Sequence, residues 1–246
     1  MTPTTPEVLE KLAVNFAEEM SDLLNHTVAD GVRLNSVMNA DRKLCHLGYG
    51  LTRDLVVNRK VFPLRQRDSY PKLYMGVSAR SIMDHEQQYL TLRSSVFSLT
   101  FDEDGTQEFC HFDYERDKLD GYPESHFQIN ADSDPMRDFL KECKESEGPL
   151  KTKKKDENGR RPRGPRAIKK IHFPAGARRF RTSLEDVVQF LVSEKMVPDL
   201  TAAEQQYLDK SRQDFHDLQL RAAVRRRPEV AAEALRSIGW NAEAPQ

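Results

Sequence analysis

The chain has 246 residues, with 38 Lys and Arg set against 39 Asp and Glu, so its formal net charge is −1. That sum excludes a uniformly basic nucleic-acid binder. A hydrophobic fraction of 38% beside 31% charged residues excludes disorder by composition and suits a folded chain of one large or two modest domains.

Taken from the start, Thr5-Pro6-Glu7 combines a capping hydroxyl, a proline for the first helical position and an early acid, which predicts a helix running to about Asn25. Leu9, Leu12, Phe16, Met20 and Leu23, flanked by Val8 and Leu24, recur at helical spacing and form a core stripe. Glu10, Glu18, Glu19 and Asp22 are left for solvent. A second, weaker helical stretch is expected over 37–47, ending at Gly48-Tyr49-Gly50. The texture then changes: segments 51–61, 72–78, 89–101, 107–114 and 125–130 are rich in β-branched and aromatic residues and read as an antiparallel sheet. Asp102-Glu103-Asp104-Gly105 predicts a hairpin loop with glycine at the residue needing positive φ, and the connection 115–124 is punctuated by Gly121 and Pro123.

Beyond Asp134-Pro135 a short helix is expected over 136–144, then a mobile loop over 145–166 with almost no apolar side chains, then a strand over 168–173. Thr182 with Glu185 has capping-box spacing for a helix through Val197 whose buried side is Leu184, Val187, Val188 and Leu191. Thr201 with Glu204 repeats the spacing and opens a long amphipathic helix through Tyr207, Leu208, Phe215 and Leu218 to about Val224. Pro228 starts a last helix that ends near Gly239-Trp240. The expected fold is α+β, an antiparallel sheet with an N-terminal helix and a C-terminal helical group. A single domain over 1–246 would comprise a helical part (1–50), a sheet part (51–143), a basic loop (144–167), and a final strand with the C-terminal helices (168–246).

Local signatures are sparse. No apolar run reaches the roughly 18–20 residues that span a bilayer, and MTPTTPEVLEKL has neither a basic flank nor a hydrophobic signal segment, so a cytoplasmic protein with no membrane partner is expected. Cys45, Cys110 and Cys143 are far apart and never in a Cys-x-x-Cys pair, which favours reduced thiols over disulfides or structural zinc. The chain has no phosphate-cradling glycine loop, Gly-x-Ser-x-Gly turn, His-Glu-x-x-His helix or calcium loop, and no cofactor is expected. Glu142-Cys143-Lys144 has the spacing of a magnesium nuclease element, but sits on an expected helix.

Three predicted strands carry the same dipeptide: Cys110-His111-Phe112, Ser125-His126-Phe127 and Ile171-His172-Phe173. Strand alternation puts Phe97, Leu99, Phe101, Cys110, Phe112, Tyr114, Phe127, Ile129, Ile171 and Phe173 on one face, and His111, Asp113, His126, Gln128, Asn130 and His172 on the other. Two readings of the polar face stand. His111, Asp113, His126 and His172 could bind a metal or supply general acid and base groups, or the face is the solvated side of a one-faced sheet. No His-x-His pair occurs, so a metal site would depend wholly on strand order, and none is assigned.

The charge is segregated. Residues 144–181 hold fourteen Lys or Arg and four Asp or Glu, a local +10 that leaves −11 for the remainder. The candidate phosphate contacts are Lys151, Lys153, Lys154, Lys155, Arg160, Arg161, Arg163, Arg166, Lys169 and Lys170, with Arg178, Arg179 and Arg181 beside the following helix. Such a segment binds DNA or RNA by counterion release, with strong salt dependence and little sequence preference. No aromatic residue interleaves between Lys151 and Lys170, so base stacking has no local support. The competing reading is a solvated loop, or one that docks on acidic helices or an acidic protein partner. Arg225-Arg226-Arg227 adds to the cationic surface, although a helix C-terminus also favours such charges.

The text FDYERDKLDGYPESHFQI followed by IHFPAGARRFRTSLEDVVQFL, within 100–192, resembles small bacterial toxin-antitoxin proteins of the TumE type. In these a strand ending in tyrosine and charge leads through a glycine loop to a histidine-bearing strand, and a serine-leucine-acid helix closes the unit. Tyr114, Gly121, His126 and the helix from Ser183 to Leu191 occupy those places, while the N-terminal half, the basic insertion and the last helices are additions. The resemblance implies a toxin-antitoxin-like or defence-associated protein that contacts nucleic acid through the basic segment, and it transfers no catalytic role. The alternatives are a noncatalytic protein-interaction subunit and a metal-dependent enzyme using the histidine face.

Overall fold

A computed structural model describes residues 5–39, 41, 43–52, 60–67, 72–119, 121–130, 173–176 and 181–243. The first helix, α1 (Thr5–Thr27), carries the expected stripe: Leu9, Ala13, Ala17, Met20, Leu23 and Leu24 are buried. Its polar residues tie it to the chain that leads into the sheet. Ser21 Oγ donates to the Ala17 carbonyl (2.6 Å) and accepts from Leu34 N (2.9 Å), and the Asn25 amide bonds both Val32 N (2.8 Å) and Val32 O (2.7 Å).

Against α1 lies an antiparallel sheet of eight described strands: β1 (Leu34–Asn39), β2 (Leu44–Tyr49), β3 (Val61–Pro63), β4 (Tyr74–Met83), β5 (Leu90–Thr100), β6 (Glu108–Glu115), β7 (Ser125–Ile129) and β8 (Phe173–Pro174). Their order is β1-β2-β4-β5-β6-β7-β8, with β3 also paired to β4. The helix expected over 37–47 is instead the β1–β2 hairpin, with Met38 opposite Cys45 and Val37 opposite His46. Lys43 takes a left-handed φ of 47° between the two strands, a turn that apolar spacing alone does not reveal. Gly48 then lets β2 close on β4: a Cβ there would sit 2.7 Å from the Val77 carbonyl oxygen. Of the strand expected over 51–61, only Val61 belongs to a described strand, β3; 53–59 lie outside the described residues.

The hairpin at 102–105 forms as expected. Gly105 has φ 69°, and the Asp102 carboxylate accepts from Thr106 N (3.1 Å), the Thr106 hydroxyl and Gln107 N (2.8 Å). These bonds, the Thr106 hydroxyl foremost, hold Asp102 below the usual carboxylate range.

Three described helices complete the fold: α2 (Leu184–Ser193), α3 (Ala202–Arg226) and α4 (Pro228–Ser237). The capping box of α2 is Ser183 with Asp186, one residue later than the expected Thr182 with Glu185, and the helix stops at Ser193 rather than Val197. Leu184, Val187, Val188 and Leu191 are its buried side, as expected, and Phe190 meets Phe112 edge to face at 5.7 Å between ring centroids. The Thr201–Glu204 box opens α3 as expected. Only Leu208 and Gln219 of α3 are buried, and Leu218 is exposed, so its amphipathic character does not persist past the part that packs on α1.

Arg65 joins these elements. Its guanidinium donates to the Thr27 (2.6 Å) and Asn25 (3.0 Å) carbonyls in the last turn of α1, to Asp30 (3.1 Å) and to Glu204 (2.7 Å) in the first turn of α3. It thereby satisfies α1 carbonyls that have no helical partner.

No described helix is long and apolar enough to cross a membrane. The short helix expected over 136–144, the loop over 145–166 and all but Phe173 of the strand over 168–173 lie outside the described residues.

Candidate functional site

The face of the sheet away from α1 and α2 carries the histidines. Antiparallel pairing of β6 with β7 sets Asp113 opposite His126 and His111 opposite Gln128, so the two imidazoles are diagonal neighbours. Their ring centroids are 6.3 Å apart with planes at 71°. Each has a carboxylate: His126 Nε2 lies 3.6 Å from Asp113 Oδ2, and His111 Nδ1 lies 2.6 Å from Glu108 Oε1. Asn130 Nδ2 donates to the same Glu108 oxygen at 2.9 Å.

Strand order and parity thus bring together His111, Asp113 and His126 of the sequence candidates. His172 lies outside the described residues, although β7 does pair with β8 through Phe127 and Phe173. Parity alone misses Glu108, which simple alternation places with Cys110 on the core face. Thr100 pairs with Glu108 while Leu99 pairs with Cys110, so Phe109 is the extra residue of a bulge. That single-residue slip turns Glu108 to the histidine side. Parity also misplaces Phe101: it lies one residue beyond β5, is exposed, and contacts Phe109 at 5.5 Å.

The face is not a simply solvated one. His126 is 2% exposed, and Thr100 is buried on the same side. His111 keeps about a fifth of its side chain open, at 18%. A Glu108 carboxylate holding His111 Nδ1–H leaves Nε2 as the basic nitrogen, the arrangement of a positioned general base. Among the described residues no group of three or more His, Cys, Asp or Glu side chains is placed to hold a metal ion. The neighbouring Cys110 is no nucleophile at neutral pH: burial, with a contribution from Glu108, pushes its thiol up to about 12. Cys45 is likewise a free, buried thiol pushed up by burial.

Of the cationic candidates, Arg181 is within the described residues; Lys151, Lys153, Lys154, Lys155, Arg160, Arg161, Arg163, Arg166, Lys169, Lys170, Arg178 and Arg179 lie outside them. The Arg181 guanidinium sits over the Tyr114 ring at 4.9 Å and faces Phe215 at 5.7 Å. The terminal arginine run divides: Arg227 pairs with Glu229 (2.7 Å), whereas Arg225 lies over Tyr89 at 4.2 Å.

No protein-family model, curated protein or solved structure matches this chain.

Proposed function

We propose that the protein contacts nucleic acid through the cationic segment 144–181, in a toxin-antitoxin-like or defence-associated role. The observation that carries this reading is the charge segregation, +10 in that segment against −11 elsewhere. A phosphate backbone is attracted to one stretch and repelled by most other surfaces. Arg181, the last residue of the segment, rests on two aromatic rings, which supports a fixed cationic position at that residue. The test is fluorescence anisotropy with single- and double-stranded DNA and RNA between low and moderate salt. The expected outcome is binding whose logarithm falls linearly with the logarithm of salt, and joint neutralisation of Lys153, Lys154, Arg160, Arg161 and Arg163 weakens it and flattens the slope. Absence of binding to either nucleic acid at low salt, or binding unchanged by the neutralised variant, sinks the reading.

A second reading, an interaction subunit, is favoured by the C-terminal helices. Leu218, Leu220, Val224, Val230, Leu235, Ile238 and Trp240 are all exposed, and α4 has no buried residue. Such a row of large apolar side chains is characteristic of a surface that meets another protein. A protein that stays monomeric and recovers no specific partner from its native lysate removes this reading.

A further inference from the structure

Away from the histidine face, a groove of about 870 Å³ runs between α1, the turn joining β4 to β5, and the second half of α3. Its volume lies within the range of about 300–1,000 Å³ usual for small-molecule sites. Four arginines from three stretches of chain reach it: Arg116 after β6, Arg181 before α2, and Arg225 and Arg226 in the last turn of α3. Three of them make contacts with neutral groups. Arg116 Nε donates to the Leu92 carbonyl (3.2 Å), Arg181 rests on Tyr114 and Phe215, and Arg225 rests on Tyr89. Among the described residues no carboxylate pairs with Arg116, Arg225 or Arg226.

Three acids also line the groove, and none of them pairs with Arg116, Arg225 or Arg226. Asp84 accepts from Gln88 N (2.7 Å) and Tyr89 N (3.0 Å) within its own turn, and Glu86 lies 3.5 Å from His85 Nε2. Glu19 has its carboxyl pushed up, first by partial burial and then by Glu185 and Asp22.

A second, independent observation is Gln219. It is 9% exposed, lines the groove, and has no side-chain hydrogen-bond partner among the described residues. With no protein partner, the amide keeps both its donors and its acceptor for a polar group in the groove. From the opposite wall α1 contributes the apolar Leu12 and Phe16 beside Asn15 and Glu19. Forked guanidiniums suit phosphate oxygens, Leu12 and Phe16 offer apolar contact to a flat ring, and a carboxamide suits the hydrogen-bonding edge of that ring.

We propose that this groove binds a nucleoside phosphate, with Arg116, Arg225 and Arg226 on the phosphate and the Gln219 amide on the base. The groups proposed to hold the ligand, Arg116, Arg225, Arg226 and Gln219, lie outside the cationic segment, of which only Arg181 borders the groove, and the proposal does not rest on the nucleic-acid reading. The experiment is isothermal titration calorimetry of the full chain with purine and pyrimidine nucleoside mono- and diphosphates, free nucleosides and inorganic pyrophosphate. Saturable one-site binding is expected for at least one nucleoside phosphate, tighter than for its nucleoside or for pyrophosphate. Arg225→Ala weakens it at least tenfold, and Arg225→Lys, which keeps the charge but loses the fork, is intermediate. Gln219→Met weakens nucleotide binding several-fold and leaves pyrophosphate unchanged. Unfolding midpoints confirm that each variant is folded, and Arg226→Ala, at an exposed position, replaces any that is not. The proposal is overturned if no nucleoside phosphate binds saturably up to millimolar concentration, if pyrophosphate binds as tightly as every nucleotide, or if the folded arginine and Gln219 variants bind like the parent. Joint neutralisation of Lys153, Lys154, Arg160, Arg161 and Arg163 is expected to leave nucleotide binding intact while weakening oligonucleotide binding, so failure of one reading is distinguishable from failure of the other.

Discussion

Arg65 and Arg225 are the same residue in opposite circumstances. Arg65 places its donors on two α1 carbonyls and two carboxylates and has a quarter of its side chain exposed, 25%. Arg225 lies on the Tyr89 ring at the end of α3 with no acidic partner among the described residues. A guanidinium whose donors meet protein acceptors acts in folding, because removing it strands those acceptors. One that is positioned but unneutralised adds little to stability and retains its donors for an anion. The difference separates a structural junction at one end of α3 from a binding surface at the other.

The largest effect that tests this contrast is Arg65→Ala. It strands two α1 carbonyls and removes the guanidinium partner of Asp30 and Glu204, and a loss of about 2–4 kcal/mol is expected from chemical denaturation. A loss below about 1 kcal/mol would mean that the junction is locally redundant. Next is Glu204→Gln, which weakens the capping box and the Arg65 pair together, at about 1 kcal/mol. The Thr201 backbone amide first, then the Thr201 hydroxyl and Arg65, hold Glu204 below its ordinary carboxylate range. A lowered folded value gives stability that is present at neutral pH and lost as pH falls through the carboxylate range. The parent and the variant therefore converge in acid, and the two substitutions combined cost less than their sum.

Glu19→Gln runs the other way. Its folded value is raised, so the ionised carboxylate opposes folding at neutral pH, and that cost vanishes once the group is protonated. The variant unfolds at a higher denaturant midpoint than the parent at neutral pH, and the gain disappears as pH is lowered. The smallest effects belong to the other end of α3. Arg225→Ala and the pair Ile238→Ser with Trp240→Ser should each change stability by no more than about 0.5 kcal/mol, as surface substitutions do. A larger loss from Arg225→Ala would erase its distinction from Arg65. Size-exclusion chromatography of the Ile238/Trp240 variant shows whether the exposed apolar row drives association.

Much of the architecture was legible wherever one side chain decides local geometry. Thr201 with Glu204, Pro228 and the turn at 102–105 each satisfy a backbone requirement within a few residues, and all three form as expected. Segment 37–47 was not legible, because Val37, Met38, Leu44 and Leu47 fit helical spacing as well as strand spacing, and the deciding event is a left-handed Lys43. In the histidine cluster, alternation separated His111, Asp113 and His126 from the phenylalanines. Their proximity depended on β6 lying beside β7, and Glu108 joined them through one bulge.

By itself the sequence determined local matters: the capped helix starts, the glycine turn, the two-faced strands, and the concentration of positive charge over 144–181. These arise from bonding and sterics between residues a few positions apart. Only the tertiary structure decided which imidazole meets which carboxylate, and that Arg116, Arg181 and Arg225 share one groove although each is at least 44 positions from the next. Such meetings are settled by the pairing of strands and the burial of helix faces, long-range free energies to which no single stretch of chain has access.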